Sequence, residues 1–363
     1  MGTNINENHS TRPCVIWIIS KNINENIEMI YPQNADEMRM VLEKYKNEND
    51  KIIWINLTDP TALDFEPLAK TFALHDLTVE DCTNEDQLPK IDFFPNYTFF
   101  ILNFFENKNA KVIKPGKFNM LVQVSEVDFI LSHNYLITAH KSHTLKNEQN
   151  SLVDYNRLKS TLKSEMLNSA DYLAYQIIDQ INERKFMVIE KIQEEINNEE
   201  DLIIRGGRGI GPQRLIYTRR KIVLIRKSIF HERELLYKIC RKDSPFIREQ
   251  MIYYYHNLYD QLFKFFEFSE ILREEISSLL ELHLSIKNNH LAELSNQTNQ
   301  AVKRLTMFTT IFMPLTLIAG IGGMSEWSMM TGPNNWRFSY PLLILLLIGI
   351  GYLNYLWFKK RKW

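Results

Sequence analysis

Two runs without a charged residue lie near the C-terminal end of the chain, and they constrain its fold more than any other feature. Residues 305–325 and 338–358 contain no Asp, Glu, Lys or Arg. A helix needs about 20 apolar residues to cross roughly 30 Å of hydrocarbon. Because the two runs are uninterrupted, paired and terminal, they predict two membrane-spanning helices rather than buried core helices.

Basic residues flank this pair of runs on its outer sides. Lys303 and Arg304 precede the first run, a basic cluster at 359–362 follows the second, and the segment between them contains Glu326 and Arg337. Basic residues stay on the cytoplasmic side of a membrane. The pattern therefore predicts a cell-membrane protein with both termini in the cytoplasm and residues 322–340 outside.

The rest of the chain has the composition of a protein in water. It has 43 basic and 44 acidic residues and a net charge of -1, so no overall field favours nucleic acid as a partner. Three separated cysteines fit a reducing cytosol. There is no nucleophile–base set, phosphate-binding loop or metal triad, so we expect neither an enzyme nor an organic cofactor.

Short β-branched runs recur through the first 140 residues and then stop. They predict strands at 14–19, 27–31, 52–57, 98–105, 121–124, 129–131 and 135–138. Helix-like segments at 35–46 and 67–71 lie between them. We therefore expect an α/β or α+β cytoplasmic domain at 1–150 and a helical hairpin at 151–245, with the glycine cluster at 205–212 as its turn.

A very long helix is predicted after this hairpin. Asp243, Ser244 and Pro245 form a start signal, and no proline follows until Pro314. A continuous helix over 246–323 would be on the order of 115 Å long at about 1.5 Å per residue. Such a helix must bridge two environments, so we expect a stalk at 246–304 and a transmembrane domain at 305–363.

The first membrane run contains a stripe of polar and small residues. Steps of three and four residues select Asn299, Val302, Thr306, Thr309, Met313, Thr316, Gly320 and Gly323. Polar groups within a membrane are placed against protein or water. One interpretation is helix packing through small residues. The other is a pore lined by one helix from each subunit of a symmetric ring, which the continuation of the stripe into the stalk favours.

Residues 299–325 resemble the pore helix of the CorA magnesium transporter family, which ends in the tripeptide Gly-Met-Asn. Residues 74–81, 87–90 and 359–363 also match that family. The resemblance implies a homopentameric funnel in which the long helices surround a central pore. It adds Leu305 to the pore-facing positions and places Gly323, Met324 and Ser325, with Glu326, at an outer mouth that captures hydrated Mg2+.

Three positions depart from the family pattern. Ser325 replaces the family asparagine, the outer loop has Glu326 but no second acid, and Asn257 stands where the family has an aspartate. The resemblance implies an inter-subunit regulatory metal site that includes Glu80 and Asp81, and Asp260, one turn after Asn257, could compensate for the missing carboxylate.

Three functions remain open at this point. The first is a Mg2+ channel or transporter, in which Mg2+ is the cargo and a regulator. The second is a transporter of Zn2+, Co2+ or Ni2+ with the same fold, which the absence of His and Cys from the stripe disfavours. The third is a membrane-anchored sensor that conducts nothing.

Overall fold

The computed structural model describes residues 14–20, 27–46, 48, 50–84, 87–107, 122–141, 153–162, 169–205, 212–323, 332 and 335–360. The chain forms two compact units, Met1–Leu280 and Glu281–Trp363. The glycine cluster is predicted to form a turn, and its residues 206–211 lie outside the described residues.

The first unit contains a mixed seven-stranded sheet. Its strands are β1 (Cys14–Ser20), β2 (Glu28–Ile30), β3 (Lys51–Thr58), β4 (Ile91–Phe93), β5 (Thr98–Asn107), β6 (Val122–Leu131) and β7 (Tyr135–His140). Their order across the sheet is β2-β1-β3-β7-β6-β5-β4. β3 and β7 run parallel, and the other neighbours are antiparallel. The predicted strand-rich N-terminal layer is confirmed.

Helices lie both between the strands and after them along the chain. They are α1 (Ala35–Tyr45), α2 (Ala62–Phe72), α3 (Asp76–Thr83), α4 (Tyr155–Leu162), α5 (Ala170–Ile204), α6 (Pro212–Cys240), α7 (Ile252–Gly322) and α8 (Trp336–Lys360). Local signals start several of them. The Asn34 side chain accepts a hydrogen bond from the Glu37 amide, and Thr61 and Asp64 form a reciprocal capping box.

Helices cover both faces of the sheet. On one face, α1 and α2 bury Leu42 and Phe65 against strand residues such as Ile55, in one continuous hydrophobic core. On the other face, Trp17 and Trp54 pack against each other and against Tyr155 of α4, with ring centroids 5.2–6.0 Å apart. This layered arrangement confirms the α/β fold class.

A buried polar network joins α5, α6 and β5. Lys185 and Glu232 form an ion pair in which neither side chain is exposed. Glu232 also accepts hydrogen bonds from the backbone amide of Asn103 and from the Ser228 hydroxyl, both at 3.1 Å. Burial lowers the pKa of Lys185, while Glu232 opposes that shift. A buried charge of this kind is tolerated because it is paired and hydrogen-bonded.

The start of α7 differs from the prediction. The helix begins at Ile252, after a short 3-10 turn at Glu249–Met251, and not at residue 246. Arg248 is held in an extended conformation because both its backbone amide and its Nε donate to Asp171 Oδ2 at 3.0 Å. This contact between distant segments overrides the local signal of Pro245.

Acid should weaken the first unit through His140. Burial lowers the pKa of His140 to about 4, below its ordinary 6.5, so the folded chain favours neutral imidazole. The contribution of neutral His140 to the free energy of unfolding is fully present above pH 6.5. It is lost as pH falls toward 4, because the unfolded chain binds the proton at higher pH than the folded chain does. Between pH 7 and pH 5 we expect a loss of about 2 kcal/mol.

Urea unfolding at the two pH values measures this loss, and His140→Asn is the control. The variant should lose about 2 kcal/mol less than the parent over the same interval. An equal loss in both proteins would show that other groups cause the acid sensitivity.

The second unit consists of the C-terminal part of α7 and α8. The two helices pack closely at glycines: a Cβ on Gly351 would lie 3.6 Å from Leu315 Cδ1, and one on Gly322 only 2.5 Å from Leu343 Cδ2. Both helices are long and apolar enough to span a membrane, and their most apolar windows are 6% and 0% buried within the chain. A core helix of a water-soluble protein would instead be mostly buried.

Candidate pore and cytoplasmic metal site

The predicted stripe on α7 lies away from α8. The partly buried residues of this helix segment are Met307, Ile311, Pro314, Leu315 and Ile318, with Gly322 buried. They share one face, and Leu315 and Gly322 contact α8. Successive residues in a helix are about 100° apart, so this face and the stripe are centred about 180° from each other.

Every member of the stripe is exposed within the single chain. This holds for Asn299, Val302, Thr306, Thr309, Met313, Thr316, Gly320 and Gly323, and also for Leu305. Met313 is 76% exposed, and a Cβ on Gly320 would meet no atom within 4 Å. The small and polar residues of the stripe therefore do not serve packing between α7 and α8, which uses the opposite face.

Threonines in the stripe present oxygen lone pairs. The Thr316 hydroxyl donates to the Phe312 carbonyl at 2.8 Å, and the Thr309 hydroxyl donates to the carbonyls of Leu305 and Thr306, both at 3.0 Å. A hydroxyl has one proton and two lone pairs. Since the proton is directed to the backbone, the exposed oxygen acts as an acceptor, which suits the water shell of a cation.

The contact at Gly322 leads to a testable packing requirement. Gly322→Val should reduce the thermal stability of the detergent-solubilised protein by several degrees, because its branched side chain must displace Leu343. Gly349→Val is the matched control, since a Cβ there would meet no atom within 4 Å in this chain. Equal unfolding temperatures for the two variants would contradict the observed packing of α7 against α8.

Of the four residues predicted to form the outer mouth, the structure describes Gly323. Gly323 is exposed directly after the end of α7, and its amide donates to the Ala319 carbonyl at 3.0 Å. Met324, Ser325 and Glu326 lie outside the described residues. Their role at the mouth stays a prediction.

The acids predicted for a cytoplasmic metal site lie on α3. Glu80 is exposed, and Asp81 is half-buried with its Oδ2 atom 2.6 Å from Lys90 Nζ. Gln87 Nε2 also donates to the Asp81 carbonyl at 3.2 Å. The sequence pattern does not predict Lys90 as the partner of Asp81, although Lys90 lies in the segment 87–90 that resembles the family.

The two α7 positions of this predicted site have other neighbours in the chain. Asn257 is exposed and its side chain is hydrogen-bonded to Tyr175. Burial, and secondarily the charge of Asp260, raise the pKa of the Cys240 thiol to about 11. Among the residues that the structure describes, no group of three or more His, Cys, Asp or Glu could hold a metal ion within one chain. An inter-subunit site stays a prediction.

Comparison with known proteins decides the family. The family model described as "CorA-like Mg2+ transporter protein" matches residues 49–360, most of the chain. The chain belongs to the CorA-like Mg2+ transporter family. The resemblance seen in the sequence is thus confirmed, and the chain is placed among membrane transporters rather than enzymes.

Two curated CorA proteins match over most of their length. The cobalt/magnesium transport protein CorA of Thermotoga maritima is 32% identical over 314 residues, which cover 85% of this chain and 83% of that protein. The protein of the same name from Methanocaldococcus jannaschii is 22% identical, and the match covers 89% of this chain and 94% of that protein.

Solved structures support the CorA fold. The complete structure of the CorA magnesium transporter from Methanocaldococcus jannaschii superposes with a TM-score of 0.65 at 19% identity, covering 95% of this chain and 97% of that one. The full-length CmaX protein gives the same TM-score at 15% identity, with 97% and 98% coverage. These likenesses confirm the α/β domain, the long helix and the C-terminal helix as one fold.

Proposed function

We propose that copies of this chain assemble into a ring, a homopentamer by family resemblance, that conducts divalent cations through a central pore. The observation that carries this proposal is the exposed stripe on α7 opposite the face that packs on α8. The two membrane helices of a single subunit cannot enclose a pore. A symmetric ring can, if one α7 from each subunit faces the axis.

The chemistry of the stripe favours hydrated Mg2+. The hydroxyls of Thr309 and Thr316 donate their protons to backbone carbonyls, so their oxygens keep lone pairs that can accept hydrogen bonds from water. The stripe from 305 to 323 contains no charged residue. Mg2+ dehydrates reluctantly and keeps several waters, and those waters donate hydrogen bonds. Acceptors along the pore therefore interact with the water shell without stripping it. Transported Mg2+ or Co2+, the ions named for the Thermotoga maritima relative, fits this surface.

In the proposed mouth, the sequence has Ser325, with a short hydroxyl, where the family has an asparagine amide. Together with Gly323, Met324 and Glu326 it would meet the hydrated ion outside the membrane. We expect weaker capture here than with asparagine, because a hydroxyl reaches less far and offers a smaller dipole.

In the cytoplasm, metal regulation through Asp81 would have to compete with Lys90. Lys90 Nζ lies 2.6 Å from Asp81 Oδ2, so this carboxylate already has a cationic partner. Asn257 offers no second charge, and Asp260 is the remaining acid on α7 near the predicted position. We therefore infer weak regulation by cytosolic Mg2+ in this chain.

Ion uptake into liposomes tests the proposal. The purified protein is reconstituted, and uptake of Mg2+, Co2+, Zn2+ and Ni2+ is measured in parallel, with and without a proton gradient. We expect Mg2+ uptake that follows its own gradient and does not need protons. Ser325→Asn should raise uptake at low Mg2+ concentration, where capture at the mouth is limiting.

Other outcomes assign the chain to the alternative functions. Uptake of Zn2+ without Mg2+, or dependence on the proton gradient, indicates a transition-metal transporter of the same fold. A protein that inserts and assembles but moves no ion would be a membrane-anchored sensor.

A further inference from the structure

A cavity of about 410 Å³ lies within the first unit, where α3, residues 87–88, strands β5, β6 and β7, and α6 meet. This volume is in the range of pockets that hold small molecules. The proposed pore does not use it. Polar residues line it, among them Asn103, Asp128 and Glu126, together with aliphatic Leu88 and Leu224.

Asn103 lines this cavity, and one acceptor atom of its side chain has no hydrogen-bond partner. Its Nδ2 donates to Ser228 Oγ at 2.7 Å, and that hydroxyl gives its one proton to Glu232 Oε1. Because a carboxylate of a buried ion pair accepts only, this chain of bonds fixes the orientation of the amide. The remaining atom, Asn103 Oδ1, is buried and has no hydrogen-bond partner.

A second unpartnered oxygen belongs to Asp128. Its Oδ1 atom is buried without a partner, and the residue is 5% exposed. In the register of β5 and β6, Asn103 pairs with Glu126 and Ile101 pairs with Asp128. Residues two apart in a strand share a face, so Asn103, Glu126 and Asp128 form one patch of acceptors. Buried polar atoms are rarely left unsatisfied.

We propose that this cavity is a binding site for a small organic cation with N–H donors, such as a primary ammonium or guanidinium compound. Such a ligand supplies the protons that Asn103 Oδ1 and Asp128 Oδ1 lack. Inorganic anions are disfavoured, since they have few or no protons to donate and would face Asp128 and Glu126. Direct metal ligation is disfavoured too, because the described residues include no metal-holding cluster.

The charged groups around the cavity are mixed, and Asp128 is the most buried of them. Lys227 lines the cavity from an exposed position on α6, and Lys141 donates to the Thr83 carbonyl at 3.0 Å. Burial and the neighbouring acids Glu126 and Asp81 raise the pKa of Asp128, while Lys141 and Lys90 oppose that shift. A bound cation would relieve this repulsion among the acids.

Isothermal titration calorimetry on the full-length protein in detergent tests this site, with no ion gradient and no added metal. The probes are methylguanidinium and n-butylammonium, with acetamide as a neutral donor and inorganic phosphate as an anion. We expect saturable binding of at least one cation and none of phosphate. Binding of acetamide alone, or of no probe, would overturn the proposal and indicate a neutral or water-filled cavity.

Variants locate the binding. Leu224→Trp should fill the cavity and weaken cation binding by about tenfold or more, whereas Val223→Trp, at an exposed neighbouring position that does not line the cavity, should change it less than about twofold. Asp128→Asn should weaken cation binding by about tenfold, since it removes the carboxyl group that can pair with the charge of a bound cation. Equal effects at 223 and 224 would place the bound cation elsewhere.

Discussion

Replacing Lys185 with methionine should destabilise the first unit by about 3–5 kcal/mol. The substitution leaves Glu232 charged, fully buried and without its cation. The hydrogen bonds from the Asn103 amide and the Ser228 hydroxyl remain, but they do not neutralise the charge. Urea unfolding of the full chain, followed by tryptophan fluorescence, measures the loss, since Trp17 and Trp54 are buried in this unit.

Two comparisons isolate the cause of that loss. The double variant Lys185→Met with Glu232→Gln should recover much of the lost stability, because the amide keeps hydrogen bonds and carries no charge. Arg157→Met breaks an ion pair whose side chains are about half exposed and should cost less than about 1 kcal/mol. A loss at Lys185 as small as that at Arg157 would contradict the importance of the buried pair.

Replacing Thr309 with valine should reduce Mg2+ uptake by about tenfold or more. Valine keeps the shape of threonine and removes the oxygen that the stripe exposes. A lost acceptor costs about 1–3 kcal/mol for each hydrogen bond to the ion's water shell, and a ring repeats that loss in every subunit. Initial rates of Mg2+ uptake into liposomes, at equal amounts of inserted protein, measure the effect.

The adjacent Thr310 provides the matched control. It is also exposed, and it lies about 100° around the helix from Thr309, off the stripe. Thr310→Val should leave uptake within about twofold of the parent, since its hydroxyl does not face the proposed axis. Similar losses at both positions would indicate a general effect of valine on the helix and would contradict a pore lined by the stripe.

Local sequence patterns predicted most of the fold. Apolar, β-branched runs predicted β1, β3 and β7 to within about two residues. β4 was missed because it has three residues and is flanked by Pro89 and Pro95. The runs at 121–124 and 129–131 are parts of one strand, β6, because β5 supplies a continuous set of partners across the polar segment between them.

What the sequence could not predict depends on contacts between distant residues. The start of α7 is set by Asp171, 77 positions before Arg248. The pairing of Asp81 with Lys90 and the cavity beside Asn103 likewise depend on how separate elements pack. The stripe on α7 was predictable because helical periodicity alone defines it. The opposite face of α7 is defined by its contacts with α8, which helical periodicity does not give.

Cysteine accessibility in reconstituted liposomes tests the central claim, that the stripe faces water. Thr309→Cys and Thr310→Cys are each treated with a membrane-impermeant cationic methanethiosulfonate reagent, and Mg2+ uptake is measured before and after, with the parent chain as control for its native cysteines. The pore predicts that modification at position 309 blocks uptake and that position 310 is unaffected. Unhindered uptake after complete modification of Cys at 309, or equal block at both positions, would contradict it.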